Sequence, residues 1–300
     1  MKKNNSIRRM YWMLNLPVIF LLFSCQILLK DFEYNDVTIN SDTIALNELQ
    51  REFIRTETNK DGAAHQKLFF TPSSQFNFVL SNYQQPVTGH FKRDEWINYF
   101  SSWTYGYYPV YSSSRYFIHD GIAINCHSFQ GYKNDNRDIS GTDIFTFIKL
   151  KGQWKIINIT SSIYPPDDSG NYSSYNNSIS PKPSEVIDQF IKGANNKDTL
   201  LLRACIANIN IPVYGSSNSS NIDEDRFPEL DGFLQKNTSG ILLNKLTVSF
   251  SEPFLNILQG SYTMKKDGRT TEYGRVMAVL AGTVEKGWKI TGIYFIKEQI

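Results

Sequence analysis

The sequence states one pattern twice. Residues 48–61 read ELQREFIRTETNKD, and residues 185–198 read EVIDQFIKGANNKD. Phe53, Ile54, Asn59, Lys60 and Asp61 recur at Phe190, Ile191, Asn196, Lys197 and Asp198, each pair 137 positions apart. Each copy closes on a similar run, GQWKIINITSSI at 152–163 and KGWKITGIYFI at 286–296, with Trp154 and Trp288 134 positions apart. A period near 135 residues is far longer than the about 20–50 residues of a solenoid unit and is the size of a whole domain. The chain is therefore expected to hold two tandem domains of one plan.

Ahead of the repeats stands a leader. Lys2, Lys3, Arg8 and Arg9 form a basic start, and residues 10–23 form an apolar run too short to span a bilayer, which needs about 20 apolar residues. Leu22-Phe23-Ser24-Cys25 resembles a bacterial lipobox. The resemblance implies that Cys25 receives a diacylglyceryl group, becomes the new N-terminus and is then acylated, as with palmitate; several acyl chains anchor firmly where one would be marginal. The expected location is the bacterial cell envelope, on the periplasmic side or the cell surface, with the membrane as a partner through Cys25. The competing reading is an ordinary signal peptide or uncleaved anchor.

Formal net charge is +2, of which the leader's four basic residues supply +4, leaving about −2 for the remainder. With no basic stripe, nucleic acid is not an expected partner. Cys126 and Cys205 have no CxxC neighbour and do not occupy matching positions, so each is expected to act as a small buried hydrophobe. HExxH, GxSxG, Walker and GxGxxG patterns are all missing, so no cofactor and no metal site is expected.

After a polar tether at 26–44, the first domain is expected at 45–163. A Pro-rich linker follows at 164–182, and the second domain at 183–300. Leu46, Leu49, Phe53 and Ile54 have helical spacing. Shorter helices are expected at 62–70 and, with Trp96, Tyr99, Phe100 and Trp103 on one face, at 92–103. Strands are expected at 75–81, 116–118, 121–132, 141–149 and 153–163. The second domain repeats the plan with helices at 184–195, 199–206 and 224–235 and strands at 245–251, 254–265, 271–284 and 287–297, turning on Asp267-Gly268. Helices first and an antiparallel meander after make an α+β class.

Three features resemble the nuclear transport factor 2-like (NTF2-like) superfamily, in its SnoaL-like and ketosteroid-isomerase-like branch. They are a first helix ending in Asn-Lys-Asp, Gly89-His90-Phe91-Lys92 before an aromatic helix, and the closing strand pairs carrying Trp154 and Trp288. The resemblance implies two cones, each of about three helices on a curved antiparallel sheet around an apolar cavity, and pairing of the units through their sheets. It leaves function open, because members isomerise, cyclise, hydrolyse, dehydrate or only bind.

Proton-transfer chemistry in such a cone needs a carboxylate or histidine with a phenol or acid beside it. His127 and Asp143 interrupt apolar strands. Alternation puts Ala123, Asn125, His127 and Phe129 on one face, and Asp143, Phe145 and Phe147 on one face of the next strand. They are the catalytic candidates, with structural hydrogen bonding as the competing role. Trp96, Phe145, Tyr262, Tyr273 and Arg275 are the candidate ligand-binding residues. His65 and His119 read as surface or helix-face residues, and the second domain has no histidine. The leading expectation is a non-catalytic protein that binds a small apolar ligand, or a protein partner through its sheet faces. The alternative is a SnoaL-like or isomerase-like enzyme seated in the first domain.

Overall fold

A computed structural model of the chain describes residues 41–81, 86–119, 121–165, 178–207, 213–216 and 240–298. The leader with Cys25, most of the tether and the helix expected at 224–235 lie outside the described residues. All the described residues but Ser41 and Asp42 belong to one compact body, Thr43–Ile300.

The duplicated Asn-Lys-Asp has a local physical cause. Helix α1 (Ser41–Thr58) buries the stripe Thr43, Leu46, Gln50, Phe53 and Glu57, spaced three and four residues apart. The chain leaves it through Lys60 in the left-handed region (φ 56°), and Asp61 then caps α2 (Gly62–Gln66) by accepting from Ala64 N at 3.0 Å. In the second half α4 (Pro183–Asn196) ends on Lys197 (φ 55°). Asp198 there caps α5 (Thr199–Cys205) by accepting from Leu200 N and Leu201 N. A left-handed residue that stops one helix and an aspartate that starts the next explain why both copies keep the same three letters.

The first sheet holds β1 (Gln75–Leu80), β2 (Val87–Lys92), β3 (Tyr107–His119), β4 (Ile122–Lys133), β5 (Asn136–Leu150) and β6 (Gln153–Tyr164), with α3 (Arg93–Ser101) between β2 and β3. The second holds β7 (Val213–Ser216), β8 (Gly240–Glu252), β9 (Leu255–Lys266), β10 (Arg269–Thr283) and β11 (Gly287–Lys297). The first runs β2-β1-β6-β5-β4-β3 and the second β7-β11-β10-β9-β8. Apart from the extra edge strand β2, the orders correspond. In each sheet one short strand pairs parallel to the last one, β1 to β6 and β7 to β11, so neither sheet is the purely antiparallel meander expected. β3 is much longer than 116–118, because Ser112-Ser113-Ser114 stays in the strand through a bulge at Ser113 (φ 48°), a local irregularity composition does not announce. Helix α2 stops before residue 70 because Phe69 bridges Ile156 and Phe70 N donates to Ile156 O at 2.9 Å.

Two glycines mark matching bends. Gly141 pairs with Ile163 in the first sheet, and Gly274 with Lys297 in the second. A Cβ on Gly141 would lie 1.9 Å from the Ser162 carbonyl oxygen, and one on Gly274 2.0 Å from that of Ile296. Each sheet therefore folds its backbone closely over itself at the same place, where only glycine fits.

Helices α1–α3 cover one face of the first sheet, with Leu46, Phe53, Phe69, Phe100, Phe145 and Phe147 in their core. The other face, carrying Ile122, Ile124, Ile144 and Ile148, shares a core with the second half. Contacts of β1, β2 and β6 with β9, β10 and β11 join the two sheets, and α4 packs on β8, β9 and β11. Across the joint Thr160 Oγ1 donates to Thr291 Oγ1 at 2.9 Å. Cys126 and Cys205 are buried free thiols.

Candidate functional site

The sheet register places His127 directly opposite Asp143, on the face that carries Ala123, Phe145 and Phe147 against the helices. The alternation read from the sequence therefore holds. The two side chains do not bond to each other. Gln50 Oε1 accepts from Asn125 Nδ2 at 3.1 Å, which turns the Gln50 amide nitrogen toward His127 Nε2. That ring nitrogen is then an acceptor, so the proton resides on Nδ1, 2.9 Å from Ser114 Oγ. Burial holds the ring neutral and lowers its pKa to about 4. With both nitrogens engaged, His127 is tied into a polar frame rather than presented to a substrate.

Asp143 has a different setting. Tyr111 Oη donates to its Oδ2 at 2.7 Å, and Ser161 Oγ donates to its Oδ1. Burial raises the Asp143 pKa to about 6 against the opposing pull of those two hydroxyls. In the last turn of α1, one turn beyond the Phe53 that packs on Phe145, lies Glu57, 5% exposed. Burial, and then the charge of Asp143, raise Glu57 to about 8. Among the described residues the Glu57 carboxyl has no hydrogen-bond partner and no cation. Arg55 is bound to Glu52 at 2.6 Å, and the Lys60 ammonium is turned to the Trp103 carbonyl. Burial, followed by the charges of Glu57 and Asp143, raises the Tyr107 phenol; at Tyr111 burial, Asp143 and then Glu57 do the same.

The walls are aromatic. Phe145 meets Phe53 edge-on at 5.2 Å, and Tyr111 lies 6.2 Å from Phe145 and 5.2 Å from His127. Phe145 thus lies beside Phe53, Tyr111 and His127. Trp96 does not: it is 7% exposed and stacks on Phe76 at 4.3 Å within the helix–sheet core. His65 corrects the surface reading outright. It is wholly buried among Phe53, Phe69 and Phe100, bonded through Nδ1 to Thr56 Oγ1 at 2.8 Å, with its pKa lowered by burial to about 3.

The second-half candidates do not converge. Tyr262 pairs with Gly274, so the pleat sends Tyr262 to one face and Tyr273 and Arg275 to the other. Tyr262 is wholly buried and donates to Glu272 at 2.6 Å, while Arg275 pairs with Glu298 at 2.8 Å. A shallow groove of about 330 Å³ lies elsewhere, between α4 and β8. Among the described residues no three His, Cys, Asp or Glu side chains gather as a metal would require.

The second half also acts as an internal comparison. At the 137-residue offset Gln50 and Glu57 correspond to Ile187 and Ala194. Counted from the matching bulges in β5–β6 and β10–β11, the pair Asp143–Ser161 corresponds to Val276–Phe295. All four counterparts are buried. The same architecture closes with apolar side chains where the first half keeps two carboxyls, an amide and a hydroxyl. Glu57 and Gln50 were readable as polar members of the apolar helix stripe; Tyr111 and Ser161 needed the sheet register.

No protein-family profile matches the chain, and no curated protein matches it. Among solved structures it is similar to a protein of unknown function with a cystatin-like fold from Nostoc punctiforme, at 16% identity over 43% of this chain and 94% of that one, with a TM-score of 0.35. It is also similar to an NTF2-like protein of unknown function from Shewanella baltica, at 10% identity over 43% and 99%, TM-score 0.33. An NTF2-like protein from Cytophaga hutchinsonii aligns at 12% identity over 41% and 98%, TM-score 0.33.

Proposed function

We propose that the chain is a lipid-anchored protein of a bacterial envelope, built of two NTF2-like units, whose first unit holds a small molecule with a largely apolar body. The leader and the Leu22-Phe23-Ser24-Cys25 lipobox support the anchor. The sequence repeat, the corresponding strand orders and the matched glycines Gly141 and Gly274 support two units of one plan. The second unit, apolar throughout the corresponding positions, is the packed support of the first.

One observation carries the ligand reading. Two buried carboxyls, Glu57 and Asp143, lie on the two elements that the Phe53–Phe145 contact joins, with no described cation, at positions the second half fills with Ala194 and Val276. An unpaired buried carboxyl destabilises a fold, and this fold has an apolar solution for the same place, so the acids serve something other than folding.

A second reading, a proton-transfer enzyme of the isomerase or SnoaL-like kind, is favoured by the different acid strengths of the pair. Near neutrality Asp143 is largely ionised and Glu57 protonated, which supplies a base and an acid in one site. His127 would then orient the frame through Gln50 and Ser114.

Native mass spectrometry of the protein purified from the envelope of its own host tests both parts at once. The expected mass begins at a diacylglyceryl-modified, acylated Cys25, and denaturation releases one small molecule per chain. An unmodified N-terminus would remove the anchor, and a chain with no extractable small molecule would remove the ligand reading.

A further inference from the structure

The acid site of the first half also specifies the charge of its ligand, an inference that rests on the small-molecule reading above. The Tyr111 and Ser161 hydroxyls both point at Asp143. Glu57, once ionised, would add acceptor capacity that no described side chain takes up. Glu57, on α1, is nineteen-twentieths buried, makes no side-chain hydrogen bond among the described residues and lies one helical turn beyond Phe53, whose ring meets Phe145 two residues from Asp143 on the same strand face. The titratable groups of the sheet coupled electrostatically to Glu57 are Asp143 on β5 and Tyr107 and Tyr111 on β3, none of them a cation. His127 is neutral and fully engaged. Around these acceptors stand the rings of Phe53, Phe145 and Tyr111. Carboxylates within an aromatic enclosure are the environment that holds an ammonium group, through ion pairing to the acids and cation–π attraction to the ring faces.

We propose that the first-half site takes a small organic amine, bound as its ammonium between Glu57 and Asp143 with its apolar body against Phe53 and Phe145. The second half, with Ala194 and Val276 in the corresponding places, takes none. Binding ionises Glu57 and so releases a proton: the carboxylic O–H breaks, the proton leaves to solvent, and the carboxylate pairs with the arriving ammonium. Affinity therefore rises as pH increases from about 6 to 8, the range in which the free protein keeps Glu57 protonated.

Isothermal titration calorimetry on the full chain with three probes of one shape decides the matter: phenethylamine, 2-phenylethanol and phenylacetate. The expected result is that phenethylamine binds at least tenfold more tightly than the other two, with an enthalpy that varies with the buffer's protonation heat. Glu57→Gln should lose at least tenfold for the amine, and Asp143→Asn should weaken the amine likewise. Tighter binding of the alcohol would overturn the ammonium assignment while leaving the small-molecule reading in place, as would tighter binding of the carboxylate. No binding of the amine, or amine binding that survives Glu57→Gln, would overturn it as well, and the extraction experiment above would still judge the broader reading independently.

Discussion

Replacing Glu57 by Gln raises the melting temperature by roughly 8 °C at pH 8 and by about 2 °C or less at pH 5. The Glu57 carboxyl goes from an ordinary value of 4.5 to about 8 on folding, so between those values the folded protein holds a proton that the unfolded chain has released. Stability from this group is fully present below the unfolded value and is lost as the pH rises toward the folded one. At pH 8 the loss is on the order of 4 kcal/mol. Asp143, moved from 3.8 to about 6, adds a smaller loss of the same sign. Gln keeps the shape and cannot ionise, so it removes the Glu57 loss. The histidines act oppositely: His65 and His127 fall from 6.5 to about 3 and about 4. Their contribution is present above pH 6.5 and lost as the pH falls, in the variant as in the parent protein. Thermal melts of both proteins from pH 5 to 8 check the divergence. Parallel melting curves across that range would mean that Glu57 is solvated or paired.

Gly141→Ala has the opposite effect and a different origin. Its new methyl group would lie 1.9 Å from the Ser162 carbonyl oxygen and 2.8 Å from Phe129 Cε1, closer than any real contact. The backbone of β5 or β6 must move, and the movement occurs two residues from Asp143. Overpacking of this kind costs about 3 kcal/mol, a fall of roughly 6–12 °C in melting temperature for a body of this size. Gly106→Ala is the control, because its Cβ would meet only Asn134 Oδ1 at 3.7 Å. A Gly141→Ala protein that melts with the control would show that the first sheet is less sharply bent than its backbone indicates.

These two positions also show what a sequence can and cannot state. Elements with one strong local cause were legible: helix α1 with Leu46 and Phe53 on its buried face, though Leu49 and Ile54 are only half-buried, the Asn-Lys-Asp helix break, and the alternation that puts His127 and Asp143 on one face. Glu57 was harder to see, because a glutamate near a helix end reads as solvated until Leu46, Gln50 and Phe53 are counted on the same stripe. Tyr111 and Ser161 reach Asp143 from neighbouring strands, one through a bulge at Ser113 inside a polar serine run. Only the register reveals such partners, since their cause is non-local. Tyr262, Tyr273 and Arg275 failed for the same reason, as the pleat separates residues that lie close in sequence. His65 was misjudged because a single turn of helix among phenylalanines buries what its polar neighbours advertise as surface.

The buried acid pair is tested most directly by carboxyl carbon NMR titration of protein labelled at glutamate and aspartate, with Glu57→Gln and Asp143→Asn used to assign the two signals. Glu57 is expected to titrate near pH 8 and Asp143 near pH 6, well apart from the remaining acids. If every carboxyl titrates at or below about 5, in the ordinary range, the two acids are not buried together and the first half holds no such site.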